Sequence, residues 1–189
     1  MIIDSLVAAF SALPGTRVGA GPRHPVTPNL TLAPRVMAFF DSYPGLSRDS
    51  GYVEFLWKYA GLQRTDEKDN ELFYIYGFGP DIVDFDPDVV DVRDLYGPDV
   101  DDKGFFHFAD AVVHADTAHS LGTYQHGFGF SLSSDREPGV YVFQSTSTAP
   151  AEKSLVTYAE QWIRQADDFT TFLTDAVERG GVWPRPQIL

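Results

Sequence analysis

The chain has no cysteine among its 189 residues. That excludes disulfides, thiolate nucleophiles and cysteine-based zinc sites, and it fits a reducing compartment, so a cytoplasmic location is expected. Basic residues are scarce, with 14 Lys and Arg against 27 Asp and Glu, for a net charge of −13. A surface of that sign is repelled by nucleic-acid phosphates and by anionic membranes, so neither is an expected partner. Long apolar runs are missing too, and no stretch approaches the ~20 residues a bilayer-spanning helix needs. The opening "MIIDSLVAAFSAL" has no basic leader and is interrupted by Asp4 and Ser5. It therefore predicts an amphipathic helix rather than a signal peptide.

Signatures of common chemistries are also lacking. There is no G-x-S-x-G elbow, and the paired glycines of "GFGPD" and "HGFGF" lack the spacing and the following helix of a phosphate loop. Asp84, Asp86 and Asp88 fit the start of an EF-hand loop, but Val89 replaces its turn glycine and Leu95 its bidentate glutamate. No cofactor and no resident metal are expected.

What the chain does have is aromatic mass, with 15 Phe, 9 Tyr and 3 Trp. Such a content argues for a packed globular core. After the first helix, Pro14–Pro34 carries five prolines and three glycines, which reads as an extended arm or a linker. "RVMAFFDSY" (Arg35–Tyr43) predicts a short helix closed by Pro44-Gly45. Ser50–Gly61 predicts a better one, with Ser50 as N-cap, Tyr52, Phe55, Leu56 and Tyr59 on one face, and Gly61 as the stop. From Leu72 the period changes to that of strands: "LFYIYGFG", then the stretch around Phe105–Leu121, "HGFGFSL" and "GVYVFQST". "EKSLVTYAEQWIRQ" fits a helix face or short strands equally well. "DDFTTFLTDAVERGG" is a helix capped by Asp167 or Asp168, buried along Phe169, Phe172, Leu173, Ala176 and Val177, and stopped by Gly180. Helices, then strands, then a helix give an α+β layout.

"FFHFADAVVHADTAHSL" (Phe105–Leu121) is the stretch richest in reactive side chains. His107, His114, His119 and His126 are separated by seven, five and seven residues. On a single regular strand His107 and His119 share one face while His114 and His126 share the other. A metal-dependent hydrolase using His107, His114 or His119 with Asp110 or Asp116 is the alternative this cluster raises. The other acidic concentration is Pro80–Asp102, with nine aspartates against one arginine.

Within Phe105–Leu121, "FAD" followed by an apolar run resembles the central segment of SUKH superfamily proteins. "GYVEFLWKYAGL" (Gly51–Leu62) is similar to the early helix of that family, and "GVYVFQS" (Gly139–Ser145) to its late strand. "ADDFTTFL" (Ala166–Leu173) is similar to its terminal helix, with Asp168 where the family has serine. The resemblance spans residues 48–180, preceded by 1–47 (helix, Pro/Gly-rich arm, short helix) and followed by a tail, 181–189. It implies an α+β fold with a mixed, largely antiparallel sheet flanked by helices. It also implies a non-enzymatic protein-binding module, commonly a bacterial immunity protein that neutralises a toxin by binding it. A nuclease toxin holds phosphates on a basic face, and an acidic inhibitor is steered to such a face. The expected partner is thus a basic protein toxin. The residues expected to meet it are Asp84, Asp86, Asp88, Asp91 and Asp94, with Tyr96 as an apolar anchor. A regulatory scaffold without a toxin, assembled as a homo-oligomer through the N-terminal arm, is the remaining alternative.

Overall fold

The computed structural model describes residues 2–78, 104–113, 124–148 and 157–183. Among the described residues, four α-helices and seven strands fold around one hydrophobic core. Helix α1 (Ile2–Ser11) buries Ile3, Val7 and Phe10, a spacing that forms one stripe. Helix α2 (Ala33–Ser42) starts two residues before the expected Arg35, because Pro34 falls in its first turn, where its missing N–H costs nothing. Helix α3 (Ser50–Lys58) buries Tyr52, Phe55 and Leu56. Helix α4 (Phe169–Glu178) buries Phe169, Phe172, Leu173 and Ala176 as expected, while Val177, expected in the same stripe, is partly buried against the core. Of the two candidate caps for α4, Asp168 is the one used, accepting from the Thr171 N–H at 2.7 Å. Gly180, at φ 60°, ends it.

The cap of α3 differs from expectation. Asp49, not Ser50, is the N-cap, accepting from the Tyr52 N–H at 3.0 Å. Its other oxygen accepts from the Phe169 N–H at 2.8 Å, so one carboxylate serves the first turns of both α3 and α4. The carboxylate offers a separate oxygen to each helix, which a serine hydroxyl does not.

The strands are β1 (Thr16–Val18), β2 (Leu62–Thr65), β3 (Glu71–Ile75), β4 (Phe105–Val113), β5 (Tyr124–Ser131), β6 (Val140–Thr148) and β7 (Thr157–Ala166). The segment whose period fits helix and strand alike is therefore strand β7. Spatial order equals chain order, and every described pair is antiparallel. The expected α+β fold with a largely antiparallel sheet is what the structure has, and among the described residues no pair is parallel. Neighbours in sequence are neighbours in space, and that arrangement needs no crossover of the kind parallel pairs require.

Residues 2–47 share the core and sheet of the rest. Phe10 of α1 packs on Phe73 of β3 at 5.5 Å, and Phe39 of α2 on Phe106 of β4 at 5.4 Å. β1 pairs with β2 at the sheet edge. The Pro/Gly-rich stretch then closes the C-terminal end of α3. Gly21 N–H donates to Lys58 O at 2.9 Å and Arg23 N–H to Trp57 O at 2.7 Å, which satisfies carbonyls the helix cannot. A Cβ on Gly21 would lie 2.7 Å from Trp57 O, so only glycine permits this approach.

Candidate functional site

Pairing registers lay the sheet out in rows. Leu62, Ile75, Ala109, Phe128 and Val142 stand side by side across β2 to β6 and face the helices. The next row, on the opposite face, is Gln63, Tyr74, Asp110, Gly127, Phe143 and Trp162. The second row holds the polar chemistry of the fold, and Asp110 is at its centre.

Asp110 is 1% exposed. Its Oδ2 accepts a short hydrogen bond from the Tyr76 hydroxyl, and its Oδ1 lies 2.9 Å from His107 Nε2. The same nitrogen is 3.0 Å from Ala109 O. Both partners of Nε2 can only accept, so Nε2 carries the proton and Nδ1 is the nitrogen left for another contact. Tyr76 stacks edge-on with His107 at 5.6 Å and with Tyr74 at 5.0 Å. Burial, and then the charge of Asp110, raise the Tyr76 hydroxyl well above the usual phenol value; the same causes act on Tyr74. Both phenols therefore stay protonated as donors at physiological pH.

A β-bulge assembles this group. His107 and Asp110 are three apart and would point to opposite faces of a regular strand. The register of β4 against β5 shifts between His107 and Ala109. Phe108 and Ala109 both enter the helix-side core, and His107 then shares a face with Asp110. Bulges re-aim side chains in just this way. Gly127, directly across from Asp110, leaves the imidazole its space: a Cβ there would sit 3.1 Å from His107 Nε2.

Towards the end of the sheet, the same face carries an aromatic stack. Trp162 lies parallel to Phe105 at 4.4 Å, the Arg136 guanidinium sits over Phe105 at 4.4 Å, and Tyr141 meets it edge-on at 5.2 Å. Gly129 admits the indole, since a Cβ there would be 3.0 Å from it. Beyond this stack a cleft of about 360 Å³ opens between the first turns of α3 and α4 and the β5–β6 turn. Asp49 lines it, and desolvation raises its carboxyl above the usual carboxylate range.

The expected site residues divide into two groups. Asp84, Asp86, Asp88, Asp91, Asp94 and Tyr96 lie outside the described residues, as do His114, Asp116 and His119. Of the histidine cluster, His107 and Asp110 come together. His126 does not join them: it pairs with Ala111 on the helix side and is 4% exposed. Among the described residues, no three metal-binding side chains form a group that could hold an ion, and no helix is long and apolar enough to cross a membrane. Sequence pattern alone does not single out Tyr76, Phe105, Arg136 or Trp162. Tyr76 lies one residue past the end of β3, where its N–H still donates to Phe108 O at 2.9 Å, and its spacing of two from Tyr74 is the signal for a shared face.

Comparison with protein-family models, with curated proteins and with solved structures finds no match to this chain.

Proposed function

We propose that this chain is a non-enzymatic protein-binding module of SUKH type, an immunity protein that neutralises a basic toxin by direct binding. The observation that carries the reading is the net charge of −13, with nine acids concentrated between Pro80 and Asp102. An inhibitor of that charge is steered towards the cationic face that any phosphate-holding toxin must present. The packing of the stretches that resemble the family supports it. Tyr52 and Phe55 of α3 lie 5.2 Å from Phe169 of α4, and Tyr52 lies 5.4 Å from Phe108 of β4. Three separated stretches thus meet in one core. In this reading the Asp110 cluster fixes the sheet, and the acidic stretch meets the partner.

The test is capture from the native organism, washed at low and then high salt. A single basic protein, released by salt and inhibited on rebinding, is the expected result. Charge reversal at Asp84, Asp86, Asp88, Asp91 and Asp94 should then slow association and flatten its salt dependence. Unchanged kinetics would remove that stretch from the interface.

One observation favours a second reading, a metal-dependent hydrolase. A histidine that gives one ring nitrogen to a carboxylate is oriented as metal-ligating histidines are, and His107 is so placed by Asp110. Stoichiometric zinc or manganese in the purified chain, lost in His107→Ala, is the outcome this reading requires.

A further inference from the structure

The two edges of the sheet are unequal. β1 is three residues long, the common protected form of an edge. β7 is ten residues long and, among the described residues, ends the strand order on the other side. It contains neither proline nor lysine; its charged residues are Glu160 and Arg164, and its pairing with β6 shifts register only at its last residues, between Arg164 and Ala166. The helix-side row that begins with Leu62 reaches β7 at Ile163, which pairs with Val142. There the row leaves the shelter of the helices, and Ile163 is 41% exposed. An apolar position thus remains half open beside a long run of edge backbone.

Charge selects the occupant. Arg164, the cation of β7, is already engaged: it lies 2.8 Å from Asp167 Oδ1, donates to Pro138 O at 2.9 Å, and is 3.7 Å from Glu137. Glu137 and Asp167 are themselves 79% and 78% exposed, so the rim beside this end of β7 has acids to spare. A second copy of the chain would bring another −13 to the same rim and be repelled.

We propose that the outer edge of β7 accepts an added strand from the basic partner, with lysine or arginine on its rim-facing positions. This rests on the reading of the chain as a binder of a basic protein. Main-chain hydrogen bonds would hold the strand, a side chain beside Ile163 would extend the apolar row, and Glu137 and Asp167 would read the charge.

The probe is a synthetic peptide matching β7 in length and alternating valine with lysine, added to the full chain and followed by residue-resolved amide hydrogen exchange. Alternate amides of Thr157–Ala166 should exchange about tenfold more slowly when the peptide is at about ten times its Kd. A valine–glutamate peptide, and a valine–lysine peptide N-methylated along one edge, should give no such pattern. Ile163→Lys should abolish the protection, and Asp167→Lys, an exposed change that keeps the fold, should weaken it. Binding without period-two protection in β7, equal binding of the N-methylated peptide, or protection that appears with protein concentration alone would each overturn the proposal; the last would make a second copy the occupant. A captured basic protein that binds Ile163→Lys as tightly as the wild type would sink the β7 site and leave the functional reading intact. Failure to capture any basic protein would sink that reading, while the peptide experiment would still decide whether the edge takes a strand.

Discussion

Adjacent rows of the sheet are built from opposite materials. The row facing the helices is Leu62, Ile75, Ala109, Phe128 and Val142, and it meets Phe172 and Trp183. The row behind it centres on Asp110, whose buried carboxylate is shared by a phenol and an imidazole. Both rows are buried from β2 to β5, yet they hold by different means. The first gains from every apolar atom removed from water, roughly 25 cal/mol per Å². The second gains little net from each hydrogen bond but loses heavily if one partner is left alone. One row supplies stability; the other makes a single register and a single side-chain arrangement worth keeping.

That contrast predicts a ranking. Phe128→Ala should cost about 3–5 kcal/mol, since it opens a cavity against Phe172 and Trp183, both within 5.0 Å of its ring. Equilibrium urea unfolding measures it. Asp110→Ala should cost less, about 1–3 kcal/mol, the penalty of leaving the Tyr76 hydroxyl and His107 Nε2 without their acceptor. Removing the charge also removes its own burial cost, which limits the loss. An Asp110 variant as damaging as the Phe128 one would erase the distinction between the rows. Tyr76→Phe should be milder still, about 0.5–1.5 kcal/mol. Combined with Asp110→Ala it should add almost nothing, because the acceptor is already gone. Additive losses in that cycle would show that the two side chains act independently.

Much of the helix-facing half was legible in the chain. The stripes of α3 and α4, the Gly180 stop and the consecutive strands follow from periods and caps that are local. The second row was not legible, and the reason is physical. Parity arguments assume a regular strand, and by parity His107 and Asp110 part company. One inserted residue in β4 brings them back to the same face, and nothing within β4 alone announces the bulge. It shows only in the pairing of β4 with its neighbours, where Asp110 stands opposite Gly127 of β5 and Tyr74 of β3. β7 was ambiguous for a related reason. "LVTYAEQWIRQ" satisfies two periods, and its pairing with β6 decides between them. The Pro14–Pro34 stretch reads as a linker because the bonds that tie it down reach distant parts of the chain, from β1 to β2 and from Gly21 and Arg23 to α3.

The smallest expected effect sharpens the comparison by moving the same kind of bond to the surface. Asp4 of α1 accepts from Lys58 Nζ at 2.7 Å and from the Tyr59 hydroxyl at 2.6 Å, a carboxylate with a phenol and a cation, much as Asp110 has a phenol and an imidazole. Its side chain is 37% exposed, so solvent screens the pair and holds its worth below about 1 kcal/mol. The hydrogen bond from Lys58, and then that from Tyr59, lower the Asp4 carboxyl to about 2. As pH falls, the unfolded chain therefore takes up this proton before the folded one does. The contribution is present in full above the unfolded value of about 4 and is lost between there and about 2. Urea midpoints of the wild type and Asp4→Asn should differ by a constant amount from neutral pH down to about 4, then converge towards pH 2. High salt should shrink the gap at neutral pH, whereas the Asp110→Ala gap, made by a buried group, should keep its size. If salt shrank both equally, burial would not be what separates the two carboxylates, and the contrast between the polar row and the surface would fail.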